Sequence, residues 1–157
     1  NMSLKNNYFH FLFDLDGTLV HTDFIYIEVE NFQRDLKWRL DLAKLLVQEN
    51  CKVLIGRVDQ TEKFSKRVRL TGLYFLKDGA NTRLEFIKRL SRKNKVIILD
   101  EESFSCSLMP EKHLYFRTSE SVLAEVDYFF CSFREEYLFL VKNRTKYTYH
   151  KTKRYII

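Results

Sequence analysis

The sequence predicts an α/β protein: a Rossmann-like parallel sheet with helices on both faces. Two observations carry this reading. Short apolar runs alternate with segments of helical period in a βαβαβαβ order, and right-handed crossovers of that kind build parallel sheets. The runs also lead directly into residues that chemistry uses, namely Asp14, Gly56, Lys77 and Asp100. Ligands of open α/β sheets bind at the carboxyl ends of strands, so four separate segments converge on one edge. The 157 residues are enough for one domain with a sizeable core. That domain is expected to span 1–157, with 134–157 as a C-terminal strand or hairpin extension.

The elements follow in order. The run Phe9-His10-Phe11-Leu12-Phe13 reads as a buried strand over 8–14. After Leu19 the chain passes Val20-His21-Thr22-Asp23 and enters a long helical pattern. Val29, Phe32, Leu36, Leu40, Ala43 and Val47 recur at steps suited to one helix face, and Trp38, Leu42, Leu45 and Leu46 widen it. Asn50 closes that helix. A second strand over 51–55 ends at Gly56-Arg57, and a short helix covers 61–70. The third strand, 73–76, runs into the turn Lys77-Asp78-Gly79. Asn81 or Thr82 caps a helix to about Leu90, with Leu84, Ile87 and Leu90 on one face. Val96-Ile97-Ile98-Leu99 is the clearest buried strand and leads into Asp100-Glu101. A fifth strand is expected at 114–116, a helix capped by Ser119 runs through Val126, and 127–133 is another apolar run. The segment 136–157 mixes apolar and basic residues and reads as one or two strands or a hairpin.

Composition sets the outer bounds. Hydrophobic residues make up 45% and charged ones 31%, ordinary for a globular protein. No run of about 18 apolar residues is present, so no membrane span is expected. Cys51, Cys106 and Cys131 are odd in number and widely spaced, which fits a reducing, intracellular compartment rather than a disulfide framework. No Cys-x-x-Cys or clustered Cys/His pattern points to zinc. The formal net charge of +6 suits an anionic substrate or surface. Abundant Asn, Lys, Tyr, Phe and Ile with a single Pro are compatible with an AT-rich genome, such as that of a virus or parasite.

The chemistry centres on Phe13-Asp14-Leu15-Asp16-Gly17-Thr18-Leu19. Two carboxylates at i and i+2 emerge as a strand ends, Gly17 frees the backbone to turn, and Thr18 adds a hydroxyl. One acid beside a cation is suited to be a nucleophile, and the second to be a general acid/base. A solvated turn is the structural alternative. This string resembles the first motif of the haloacid dehalogenase superfamily, most of whose members are phosphatases. The resemblance extends over about residues 8–104. It implies that Asp14 attacks phosphorus to form an aspartyl-phosphate and that Asp16 protonates the leaving group and then activates water. It also implies that Gly17 and Thr18 support the loop and that Mg²⁺ neutralises the clustered charge.

The same resemblance asks for three more parts. A Ser or Thr hydroxyl should end the second strand, but this chain has Gly56 there, with a tight turn as its structural alternative. The backbone N–H of Gly56 or Arg57 and the Arg57 charge are the substitutes on offer. If the backbone accepts a Cβ, Gly56→Ser or Gly56→Thr is expected to raise activity; a positive φ there would make the change destabilising instead. A lysine should hold the charges together. Lys77 fits at a strand end, 23 residues before Asp100, and Lys88 within a helix is the rival. An acid should hold the metal, and Asp100 or Glu101 fits, with Asp14 and the Asp16 carbonyl as the other ligands. Leu19-Val20-His21-Thr22, Lys77-Asp78 and Ile98-Leu99-Asp100 also resemble the branch of this superfamily that acts on the RNA polymerase II tail. That branch usually has Glu where Gly17 stands, and its Arg-Pro-Gly segment is absent here. About 37 residues separate Thr18 from Gly56, too few for a large cap domain. A capless site accepts bulky substrates, either phosphoproteins or nucleic-acid ends. A non-catalytic module that keeps anion affinity is the competing expectation. Finally, Lys142, Arg144, Lys146, Lys151, Lys153 and Arg154, interleaved with Tyr147, Tyr149 and Tyr155, form a basic aromatic strip. It suits single-stranded nucleic acid or, equally simply, a charged edge strand.

Overall fold

Burial on both faces defines the first strand. In the structure, a computed structural model that describes residues 23–99, 117–131 and 153–156, β1 (Phe24–Val29) is buried along its whole length. α1 (Phe32–Gln48), β2 (Val53–Arg57), α2 (Val58–Arg67) and β3 (Gly72–Leu76) follow. A 3₁₀ turn (Asn81–Arg83), α3 (Leu84–Ser91), β4 (Lys95–Leu99), α4 (Glu120–Glu125), β5 (Tyr128–Cys131) and β6 (Lys153–Ile156) complete the order. The strands line up as β2-β1-β3-β4-β5-β6. β1 with β2, β4 with β5, and β5 with β6 all pair parallel. This is the predicted Rossmann-like α/β class. The chain forms two compact units, 1–73 and 74–157, divided within β3.

In the first unit, β1 presents Phe24, Tyr26 and Glu28 to one face and Ile25, Ile27 and Val29 to the other. The Phe64 ring of α2 meets Phe24 edge-on at 5.6 Å and Tyr26 at 4.9 Å, so α2 covers the aromatic face. α1 packs on β1 and β2, and a right-handed crossover puts it on the opposite, aliphatic face. Helices therefore lie on both faces, as expected.

α1 is bounded by chemistry visible in the sequence. The Asn31 side chain accepts hydrogen bonds from the N–H groups of Gln33 and Arg34 at 3.0 and 3.2 Å. At the other end Asn50 takes φ of 62°, Asn50 N–H donates to Val47 O, and Cys51 N–H donates to Leu46 O. That is the paired-bond closure of a helix by a left-handed residue.

Two expectations are corrected here. Residues 24–29 are strand, not the approach to a helix, and Val29 belongs to that strand rather than to the helix face: Phe-Ile-Tyr-Ile-Glu-Val is rich in β-branched and aromatic residues, and Asn31 starts the helix only afterwards. The predicted apolar stripe is buried only in part, at Ala43 and Leu46. Phe32, Leu40 and Val47 are exposed, and the face against the sheet is Asp35, Arg39, Ala43 and Leu46. Periodicity shows that a helix has an apolar stripe but cannot register an ion pair as part of the core. Arg39 Nη1 lies 3.9 Å from Asp35 Oδ2, with both side chains almost wholly buried. Arg34 also bonds Asp35, and the Asn31 N–H donates to it at 2.9 Å. Arg39 stacks over Trp38 at 4.1 Å.

In the second unit, β3 is buried throughout, and Val96, Ile97, Ile98 and Phe129 have no exposed surface. The Ser119 hydroxyl accepts from Val122 N–H and starts α4 where the sequence placed it. The expected strands at 8–14 and 114–116 lie outside the described residues, as does most of 136–157. β6 occupies the edge of the sheet in the strand order and runs parallel to β5, so this part of the C-terminal segment is not half of a β5–β6 hairpin.

Removing one partner of the buried pair should be costly. Asp35→Ala is expected to lower unfolding free energy by about 3 kcal/mol, since it removes an anionic partner of the buried Arg39. Burial pushes the Asp35 carboxyl up, but the Arg34 and Asn31 hydrogen bonds with the Arg39 and Arg34 charges hold it below the usual carboxylate range. Its contribution is then fully present above about pH 4, the unfolded value, and is lost as pH falls through the lower folded value. Denaturant unfolding of Asp35→Asn and parent between pH 7 and pH 2 checks this: the gap between them should close in acid.

Candidate functional site

Asp14, Asp16, Gly17, Thr18 and Asp100 lie outside the described residues, as do Glu101, Lys142, Arg144 and Lys146. The structure describes Gly56, Arg57, Lys77 and its rival Lys88, and each unit is taken by itself.

In the first unit, Gly56 belongs to β2 and pairs with Glu28 of β1. It does not form a tight turn, and its backbone is not in the left-handed region. Its lack of a side chain serves packing. A Cβ at Gly56 would come within 2.7 Å of Tyr26 Cζ and closer still to the phenol oxygen. Tyr26 is 3% exposed, its ring rests on Phe64, and burial pushes its phenol up against the opposing effect of a hydrogen bond with Thr61. The condition placed on Gly56→Ser or Gly56→Thr, that the site accept a Cβ, is not met as the residues stand, because the Tyr26 ring occupies that space. Arg57 is the residue before α2, and its exposed guanidinium pairs with Asp59 at 3.0 Å.

In the second unit, Lys77 directly follows β3 and is 1% exposed. An ammonium held away from water is costly unless anions or acceptors surround it. Lys88 sits on α3 with its side chain 40% exposed and pairs with Glu85 at 3.2 Å. That is an ordinary surface pair worth little. Burial and position at a strand end thus distinguish the two lysines.

The turn after Lys77 is bound to two other segments. Asp78 Oδ1 accepts from Ala80 N–H at 3.1 Å and lies 3.6 Å from Arg83 Nη1. Asp78 Oδ2 lies 3.6 Å from Arg117 Nη2. Asn81 Oδ1 accepts from Ser119 N–H at 2.7 Å. Gly79 lets the turn approach the core, since a Cβ there would fall 2.9 Å from Ile98 Cδ1 and 3.2 Å from Thr118 Cγ2. Sequence reading found Asp78-Gly79 as a turn but missed Arg83 and Arg117. Nothing in the spacing ties Arg83 to the turn or Arg117 to a turn so far back in the chain.

The Asp78 carboxylate thus faces two guanidinium groups in the turn that directly follows Lys77. Among the described residues no group of three His, Cys, Asp or Glu side chains is arranged to hold a metal ion, and no helix is long and apolar enough to cross a membrane. No protein-family model matches the chain, and comparison with curated proteins and with solved structures finds no similar protein.

The packing of Tyr26 on Gly56 has a direct test. Gly56→Ala is expected to cost about 1–3 kcal/mol, the usual penalty for overpacking. Combining it with Tyr26→Ala should remove most of that added cost, because contacting residues are non-additive. Urea unfolding of the two single variants and the double variant measures the coupling; strict additivity would show that the ring and the glycine do not compete for space.

Proposed function

We propose that the chain is a phosphomonoester hydrolase working through an aspartyl-phosphate on Asp14. The observation that carries this reading is the buried Lys77 at the carboxyl end of β3, in a parallel α/β protein whose 14–18 segment has the Asp-x-Asp pattern described above. In this reading the Asp14 carboxylate attacks phosphorus while the ester P–O bond breaks. Asp16 gives its proton to the departing oxygen. Asp16 then takes a proton from water, which attacks the phosphorus, and inorganic phosphate leaves as the Asp14 carboxylate is restored. Thr18 and Gly17 hold the loop, and Lys77 offsets negative charge on the nucleophile and the phosphoryl group. Mg²⁺, with Asp14, the Asp16 carbonyl and Asp100 as its oxygen ligands, would supply further charge neutralisation. The net charge of +6 and the short connections suit a bulky anionic substrate, a phosphoprotein or a nucleic-acid end.

A second reading is a binding or regulatory module that holds an anion with little turnover. Gly56 favours it, since Tyr26 fills the space where a phosphate-binding hydroxyl would stand. Loss of a hydrogen bond to a charged group slows a reaction about 10- to 150-fold, so weak activity rather than none is consistent with the first reading.

A screen of small phosphate esters, phosphopeptides and 3′-phosphorylated oligonucleotides with Mg²⁺ separates the two. Asp14→Asn should remain folded and lose turnover by at least about 10³-fold, because an amide cannot be the anionic nucleophile. Chelation of Mg²⁺ should silence the parent. A folded Asp14→Asn protein that hydrolyses esters at the parent rate rules out the proposed chemistry, and anion binding without turnover in the parent selects the second reading.

A further inference from the structure

We infer that Asp78 is a positioning residue for Lys77 and that Arg83 and Arg117 hold Asp78 in place. The inference rests on the phosphatase reading only for its effect on turnover. A lysine side chain has four rotatable bonds and a compact charge, so the backbone that carries it helps to set where its ammonium can sit. Lys77 stands where β3 ends, and the residue that fixes the backbone beyond it is Asp78. Both carboxylate oxygens of Asp78 are engaged in that task. Oδ1 takes the Ala80 N–H at 3.1 Å, which closes an aspartate turn, and faces Arg83 at 3.6 Å. Oδ2 faces Arg117 at 3.6 Å. Arg83 also donates to the Asp78 carbonyl at 3.4 Å. With its side chain only 15% exposed, Asp78 sits between two arginines that are themselves 15% and 23% exposed.

These contacts make a clamp and not an acid/base centre. A general acid or base needs a lone pair or proton directed at the reacting group, and the two oxygens of Asp78 are directed at its own turn and at the two guanidinium groups. The clamp also joins distant segments. Arg117 and Ser119 precede α4, and the Ser119 N–H bonds Asn81 at 2.7 Å on the far side of the same turn. Gly79 admits Thr118 and Ile98 against the turn between those two links. The position of Lys77 is thereby set by the segment before α4 as well as by β3.

The test reads Lys77 directly and does not depend on catalysis. The full chain is labelled with an amine-reactive acylating reagent at pH 8, and labelling rates of individual lysines are followed by mass spectrometry. In the parent, Lys77 should label far more slowly than Lys44, whose side chain is 74% exposed. Asp78→Asn and Arg117→Gln should each raise the Lys77 rate by about tenfold or more, with Lys44 and Lys88 unchanged and the unfolding midpoint near the parent value. Arg117→Lys keeps the charge but not the planar fork, and should fall between parent and Arg117→Gln. With a substrate from the screen, Asp78→Asn should lower kcat by about tenfold while KM stays within about twofold. If Asp78→Asn does not fold, the two Arg117 variants decide. Unchanged Lys77 labelling in the folded variants overturns the inference, and so does a rise shared equally by Lys44 and Lys88. A parent with no turnover on any substrate counts against the phosphatase reading, while the labelling result still decides whether the clamp holds Lys77.

Discussion

Two aromatic rings laid over two glycines set the geometry of the first unit. Tyr26 occupies the space above Gly56 in β2, and Phe24 does the same above Gly72 in β3, where a Cβ would fall 2.5 Å from Phe24 Cε2. Both rings then meet Phe64 of α2. Interiors pack at crystal-like density, so a ring fits flat against a neighbouring strand only if that strand lacks a side chain. The glycines weaken their own strands through backbone entropy. The burial of two large rings, with aromatic contacts of about 0.5–1.5 kcal/mol each, offsets that loss. Everything on this face of β1 depends on the fit: the seat of α2, the Tyr26–Thr61 hydrogen bond, and the absence of a hydroxyl at the end of β2.

The opposite side of the same unit follows a different rule. α1 meets the sheet through a buried Asp35–Arg39 pair flanked by Ala43 and Leu46. A buried ion pair is weak as a source of net stability but severe when one partner is lost. The arrangement works because the Asp35 carboxylate is also bonded by Arg34 and by the Asn31 N–H at the start of the helix. Cap, ion pair and helix registry are thus one structure. Its consequence is that the apolar residues Phe32, Leu40 and Val47 are left at the surface.

In the second unit the same physics places a charge at a strand end. β3 and β4 are apolar along the parts that pack, and polarity returns abruptly with Lys77 and Asp78. Asp78 is met by two arginines from different segments, and Lys77 remains buried beside it. A buried cation thus stands directly before an arginine-held turn.

Much of this was legible in the sequence, for definite reasons. The α/β class followed from alternating periods. Helix ends at Asn31 and Asn50 and the cap at Ser119 are local chemistry, of which Asn50 and Ser119 were read in advance and Asn31 was not. Lys77 stood out because it follows an apolar run, as a residue at the mouth of a sheet does. What the sequence could not decide was which neighbour each side chain meets. That Gly56 lies under Tyr26, that Arg39 belongs to the buried face of α1, and that Arg117 reaches back to Asp78 are contacts between residues far apart along the chain or facing in directions that periodicity does not resolve. Local propensity and pattern determine where elements begin and what class they build. Only tertiary packing, in which space taken by one ring is denied to another side chain, decided that Tyr26 lies over Gly56 and that the Asp78 carboxylate faces Arg83 and Arg117.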